Sequence, residues 1–405
     1  MSHAVIVAAS RSPIGRARKG SLKDLRADDL AATIVRSALE QVPQLDPNSI
    51  DELLLGCAQP AGEQGYGLGR VVATLLGLDG VPAATVQRYC ASSLQTTRMA
   101  DQAIRCGDGD VYVSAGVEAV SRFARGKSDG LPDTHNPVFA AAQRRTADLI
   151  AAGSAWTDPR SAGELPDAYI AMGHTAEHVA RLHGVSRADQ DAWALLSQQR
   201  AEKSAADGFW KQDITPVALP DGTVVDTDDC PRPGTTAEGL AALEPVFHPE
   251  GTVTAGNCCP LNDGAAAVVV MSETRAAELG ITPLARILST AVSAVSPEIM
   301  GITPVEASRR ALARAGLTMG DVDLVEMNEA FAAQVVASRR ALDIDEDKLN
   351  VHGGAIAVGH PFGMTGARIT TTLLNALRHG DKEIGLEAMC AAGGQGMAMV
   401  VQRLS

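Results

Sequence analysis

Four short stretches of the 405-residue chain carry side chains able to do chemistry. Cys90 lies in Gln87-Arg88-Tyr89-Cys90-Ala91-Ser92-Ser93, where a strand pattern gives way to a helical one. A thiol at a helix start meets unpaired N–H groups and the positive end of the dipole, which favour a nucleophilic thiolate. The competing reading is a buried inert cysteine, the commoner fate of a free thiol. Cys390 precedes Ala391-Ala392-Gly393-Gly394-Gln395-Gly396, whose glycines allow either a tight turn between strands or the close approach of a ligand. His360 sits in the Gly-rich run Gly353–Gly363 ahead of a helical pattern. An imidazole there suits a general base, and equally a plain loop histidine. Asn328 directly follows an apolar strand, in Asn328-Glu329-Ala330-Phe331. Read alone, it caps the next helix.

The elements that must hold these residues occur in two matching series. From about 4 to 118, strand patterns at Ala4–Ala9, Ile50–Gly56, Ala84–Tyr89 and Val111–Ala115 alternate with helical ones at Asp29–Gln41 and Ala91–Cys106. From about 284, strands at Ala285–Ser293, Val322–Asn328, Glu387–Cys390 and Met397–Gln402 alternate with helices at Pro304–Ala315 and Gly366–Arg378. The same order at an offset of about 270 residues indicates a duplicated α/β unit. Between the copies, 121–261 is proline-punctuated and carries helical patterns at Thr175–Leu182 and Arg187–Ala206, which reads as an insertion covering a site. Gly264–Met271 then returns as a buried strand to the first copy. The expected division is 1–120 plus 262–283, an inserted loop domain at 121–261, and 284–405.

Composition narrows the function classes. A net charge of −13 without a basic run argues against nucleic-acid binding. No stretch reaches the roughly 18 apolar residues of a membrane span, and the first ten residues read as a strand rather than a signal peptide. Seven cysteines scattered without Cys-x-x-Cys spacing fit neither a disulfide framework nor a zinc site, and point to the reducing cytoplasm. His174 and His178 share a helix face, but no third ligand cluster accompanies them, so no metal is expected. Arg122, Arg125 and Lys127 read as a solvated loop rather than a phosphate clamp, and His352 as support for the Gly-rich loop.

Taken together, Cys-x-Ser at 90–92, Asn-Glu-Ala-Phe at 328–331, Gly-His-Pro at 359–361 and Cys-x-x-Gly-Gly-x-Gly at 390–396 resemble the four active-site loops of the thiolase family, in its order. Met172-Gly-x-Thr-Ala-Glu177, Gly251–Asn257 and Asn262–Ala267 match as well, so the resemblance covers essentially the whole chain. It implies an α/β thiolase fold of two βαβαβαββ halves with an inserted loop domain. It also implies an acetyl-CoA C-acyltransferase that cleaves 3-oxoacyl-CoA with CoA, in fatty-acid or steroid-like β-oxidation. The alternatives are a biosynthetic acetoacetyl-CoA thiolase or a non-catalytic acyl-CoA-binding subunit. By the same resemblance Cys90 is the nucleophile, His360 its base and an oxyanion donor, and Cys390 the acid/base. Asn328 holds an oxyanion-hole water and the Ala392 N–H serves a second oxyanion hole. Met172, Cys259, Met300, Ala330 and Phe331 contact substrate or CoA. Acyl-CoA and CoA are substrates, with no permanently bound cofactor. A homodimer, possibly a tetramer, and β-oxidation partner enzymes are implied too.

Three departures from the family pattern stand out. Ala392 replaces a glycine, and its Cβ is expected to restrict φ and crowd the second oxyanion hole. Cys259 replaces a serine and is followed by Pro260 rather than a small residue. Ala171 stands where short-chain relatives carry histidine, which is expected to widen the acyl site.

Overall fold

The structure, a computed structural model, describes residues 3–125 and 134–405. Lys127 lies outside them, as does the side chain of Arg125. In chain order the principal strands are β1 (Ala4–Arg11), β2 (Glu52–Gly56), β3 (Ala83–Val86), β4 (Val111–Ala119), β5 (Asn262–Ser272), β6 (Ala285–Ala294), β7 (Leu324–Met327), β8 (Ile384–Ala391) and β9 (Gln395–Arg403). They lie in one ten-stranded sheet in the order β7-β8-β9-β6-β1-β5-β4-β2-β3, its tenth strand being the short Gly15–Arg16 beside β5. β2 runs parallel to β3 and β4, and β7 parallel to β8. β5 and β9 return antiparallel in their halves. The halves meet where Val5 and Ile6 of β1 pair with Arg286 and Ala285 of β6. The counterpart of β3 in the second half shrinks to one parallel bridge between Leu349 and Val325.

Seven helices matter for the site: α1 (Ala27–Glu40), α2 (Ser92–Cys106), α3 (Met172–Leu182), α4 (Arg187–Ala206), α5 (Thr303–Ala315), α6 (Ala332–Leu342) and α7 (Thr365–His379). α2 and α7 are both 15 residues long and begin 273 residues apart. Side-chain alternation sorts the strands' two faces. Leu53 and Leu55 join the apolar cluster under α1, while Leu54 turns to the cluster that holds Leu94 of α2 and Ile369 of α7. In the second half Met389 faces that same central cluster, and Leu386 and Ala388 face the one under α5 and α6. The two central helices are thus packed between the inner faces of both halves. With only 3% aromatic residues, small side chains permit the close approach: a Cβ on Gly366 would come within 2.2 Å of the Leu94 nitrogen. β4, β5 and β8 are buried along almost their whole length, as strands covered on both faces must be.

The inserted segment packs against both halves. Asp213 and Asp228 pair with the fully buried Arg11 of β1, and Glu298 of the second half accepts from Arg145, Trp156 and the Asp167 N–H. α3 begins at Met172, three residues earlier than the sequence pattern indicates. Among the described residues no helix is long and apolar enough to cross a membrane.

Candidate active site

Cys90 sits in a single 3-10 turn, Tyr89–Ala91, between β3 and α2. Tyr89 has φ +45°, a left-handed conformation that a bulky side chain adopts only under constraint. The constraint is visible. The Arg88 N–H donates to Ser92 Oγ, Ser92 Oγ donates to the Tyr89 carbonyl, and the Arg88 guanidinium donates to Gln395 Oε1 of the Cys390 loop. Although Cys90 as a residue keeps some solvent contact, its thiol is enclosed. Burial, reinforced by the Glu118 carboxylate, pushes that thiol up to about 12, while the N–H groups of Cys90 and Ala392 pull it back. The expected thiolate is therefore not the resting form: desolvation and a like charge outweigh the helix N-terminus.

His360 is almost fully buried in the loop before α7. Its N–H donates to Asn262 Oδ1 at 2.9 Å, its Nδ1 lies 2.6 Å from Thr365 Oγ1, and its Nε2 lies 3.3 Å from Asn328 Nδ2. The Thr365 hydroxyl donates to the Pro361 carbonyl at 2.6 Å, so it accepts from the ring. Nδ1 then carries the proton, and Nε2 presents a lone pair to the site. Burial, helped by the Arg368 charge, lowers the imidazole to about 3. The resting ring is therefore neutral.

Asn328 does not cap a helix, since α6 starts at Ala332 with Phe331 as its N-cap. Its side chain turns towards His360 instead. Cys390 is the penultimate residue of β8 and fully buried, its thiol raised by burial and by the neighbouring Cys90. Met300, Ala330, Phe331 and Cys390 share one apolar cluster, with Met172 packed against it. Cys259 donates its N–H to the Ala330 carbonyl at 3.1 Å, and its thiol lies within electrostatic reach of Cys90 and Cys390. The residues singled out in the sequence therefore converge, from loops of both halves and the insertion.

Two departures resolve structurally. The positive φ values of the Cys390 loop fall on Gly393 and Gly394, not on Ala392. Alanine is tolerated there, its N–H still reaches the Cys90 sulfur, and the residue lines a neighbouring cavity. That cavity, of about 260 Å³, lies between Tyr89, Ala392, His135, Tyr169, Ile170 and Met172. His135 stacks on Tyr169 with ring centroids 3.9 Å apart. Ala171 itself is exposed, so the wall is built by its neighbours Ile170 and Met172. Of the side residues, Arg122 is paired with Glu63. His178 binds the Glu298 carbonyl, and His352 stacks on Phe209 at 3.5 Å.

Thr365 and Glu118 were not distinguished by the sequence motifs, and Asn262 stood out only as the first residue of a matching segment. Each acts through a contact 5 to 245 residues away. For Thr365 the i, i+5 spacing from His360 on a helix start is a signal that reading could have used.

Two thiols and a neutral imidazole, with an amide beside the imidazole and a backbone N–H aimed at one sulfur, define a site for thioester acyl transfer. Comparison with known proteins agrees. Residues 4–274 match the thiolase N-terminal domain and 281–403 the thiolase C-terminal domain. The chain belongs to the thiolase family. It is 44% identical to a 3-ketoacyl-CoA thiolase of Cronobacter sakazakii over the full length of both chains. It is 42% identical to one of Bacillus subtilis, covering 99% of this chain and 100% of that one. Among solved structures, human mitochondrial 3-ketoacyl-CoA thiolase superposes with TM-score 0.85 at 36% identity, and Bacillus anthracis acetyl-CoA acetyltransferase with 0.86 at 36%. Each covers 100% of this chain and 99% of its own.

Proposed function

We infer that the protein is an acetyl-CoA C-acyltransferase acting on 3-oxoacyl-CoA. The carrying observation is a neutral His360 whose unprotonated Nε2 faces the Asn328 amide, at the start of the 328–331 loop that packs on Cys390, itself beside Cys90. His360 takes the Cys90 proton as the sulfur attacks the 3-keto carbon. The C2–C3 bond then breaks, and its electron pair leaves as the enolate of acetyl-CoA. Protonated Nε2 and a water held by Asn328 stabilise the thioester oxyanion. Cys390 protonates the enolate carbon. It next removes the proton of incoming CoA, whose thiolate takes the acyl group from Cys90 as His360 returns its proton to the departing sulfur. The N–H groups of Cys90 and Ala392 hold the oxyanion of that second step. On this reading 1–120 with 262–283 and 284–405 are the catalytic halves, and 121–261 covers the acyl-CoA. The site works in the cytoplasm in a homodimer or larger assembly.

The aromatic-walled cavity beside Ala392 supports acyl groups longer than acetyl. The same residues run in reverse would make acetoacetyl-CoA, the second reading, which the similarity to the Bacillus anthracis acetyltransferase favours. A steady-state thiolysis panel from acetoacetyl-CoA to C10 and ring-bearing 3-oxoacyl-CoA separates the two. The first reading expects kcat/KM for a C8–C10 substrate to match or exceed that for acetoacetyl-CoA. A strong preference for acetoacetyl-CoA supports the second, and no thiolysis of any substrate refutes both.

A further inference from the structure

Glu118, the penultimate residue of β4, is fully buried, and no step above uses it. Its Oε2 accepts from the Ala58 and Gly363 N–H groups, both at 2.9 Å. Its Oε1 accepts from Gln64 Nε2 at 2.8 Å and the Gln59 N–H at 3.3 Å, with the Cys57 thiol at 3.7 Å. Gly363 closes the loop that carries His360. That loop is laid directly on the first half: a Cβ on Gly116 would come within 2.1 Å of the Gly363 carbonyl, and one on Gly363 within 2.4 Å of the Val117 carbonyl. At its other end, the Ile356 N–H donates to Glu329 Oε2 at 3.1 Å. The base is thus held at the middle by Asn262 and at each end by a buried carboxylate.

Both oxygens of Glu118 face donors only, so an amide in its place would turn its own N–H₂ towards N–H groups. Its charge also reaches the Cys90 sulfur and opposes ionisation there. The other groups facing that sulfur are the Cys390 and Cys259 thiols and the N–H groups of Cys90 and Ala392. On the His360 side the facing charge is Arg368. A thiolate standing idle would react with oxidants and alkylating agents, whereas a thiol does not.

We propose that Glu118 is a positioning residue for the nucleophile and its base. It locks the Gly363 end of the His360 loop to the first half, and its carboxylate, held by four N–H donors, sets the electrostatic surroundings in which Cys90 meets that base. The proposal rests on the thiolase reading for its turnover measurements only, because alkylation of Cys90 needs no substrate.

The test uses the full chain with Glu118→Gln and Glu118→Asp. The rate of iodoacetamide labelling at Cys90 is followed against pH by peptide mass, alongside kcat and KM for CoA. Glu118→Gln is expected to move the labelling midpoint to lower pH by about one unit or more and to lower kcat about tenfold or more, with KM within about threefold. Glu118→Asp keeps the charge but shortens the reach to Gly363, so kcat falls while the labelling midpoint stays. An unmoved midpoint or an unchanged kcat in Glu118→Gln overturns the proposal. If Glu118→Gln does not fold, unchanged kcat in Glu118→Asp does the same. Wild type that labels at Cys90 yet shows no thiolysis would sink the thiolase reading and leave the charge effect standing.

Discussion

In the proposed mechanism Thr365 decides which nitrogen of His360 acts as the base. Its hydroxyl proton is committed to the Pro361 carbonyl at 2.6 Å, and its lone pair faces Nδ1, also at 2.6 Å. Both residues are buried, so water cannot substitute. Thr365→Val keeps the shape and removes the acceptor. If the tautomer stayed, a buried Nδ1–H would be unpaired at a cost of about 1–3 kcal/mol. The ring escapes that cost by moving its proton to Nε2, where it can no longer accept from Cys90. At about 1.4 kcal/mol per decade, the variant should lose roughly ten- to a hundredfold in kcat. KM for CoA should hold, because Thr365 packs behind the ring and away from the mouth. Thr365→Ser restores the acceptor and should recover most of kcat. The assay is steady-state thiolysis, with thermal unfolding run in parallel to confirm folding. A folded Thr365→Val enzyme with wild-type kcat would refute the tautomer argument.

Other consequences follow from the same geometry. Cys90→Ser should abolish acyl transfer, and mass spectrometry of wild type quenched with substrate should find the acyl group on Cys90; acylation at Cys390 or Cys259 would overturn the assignment. Because burial lowers His360 to about 3, the kcat/KM profile should show no acid limb near 6.5, and one appearing there that vanishes in His360→Asn would contradict a neutral base. An imidazole introduced by Ala171→His, next to Ile170 and Met172, should reach over the cavity mouth and lower the C8–C10 to acetoacetyl-CoA ratio of kcat/KM; with roughly 0.8 kcal/mol per buried methylene, an unchanged ratio would mean the tail lies elsewhere. Glu326 and Glu387 face each other across β7 and β8, and burial pushes both carboxyls up to about 8. Folded pKa values above the unfolded ones mean stability that is full below about 4.5 and lost as pH rises through about 8. Glu387→Gln should therefore gain on wild type in unfolding midpoint between pH 5 and pH 8, and a gap that does not change with pH would refute this.

How far the sequence could be read depended on the range of each cause. The repeat was legible because a 15-residue helix and its flanking strands leave a periodic trace at both places. The four loops were legible because each is a contiguous run. The protonation state of Cys90 was not: the local feature, a helix start, points to the thiolate, while the deciding burial, reinforced by the charge of Glu118 28 residues on, exists only in the fold. Asn328 failed as a cap for the same reason, since its partner His360 is 32 residues away. Ala392 was misjudged because the loop's left-handed positions are Gly393 and Gly394, one and two residues later.

The duplication explains how one site arises from two copies. Cys90 and Gly363 each stand two residues before a central helix. Cys57 and Asn328 each follow the strand that opens into a loop, after Gly56 and Met327. Glu118 and Cys390 are each the penultimate residue of an equivalent strand. In one set, Cys390 lies by Cys90 and the Asn328 amide faces the base. In the other, Glu118 holds Gly363 and faces Cys57. Equivalent places in the fold thus carry the groups proposed for acyl transfer on one side and the proposed carboxylate clamp on the other. A carboxylate can take the clamping place because four N–H donors satisfy it there. The same group in place of Cys390 would stand among apolar neighbours such as Met300 and Phe331. In the proposed mechanism a thiol there holds its proton and gives it up to an enolate, which would account for a division of labour between two halves of similar fold.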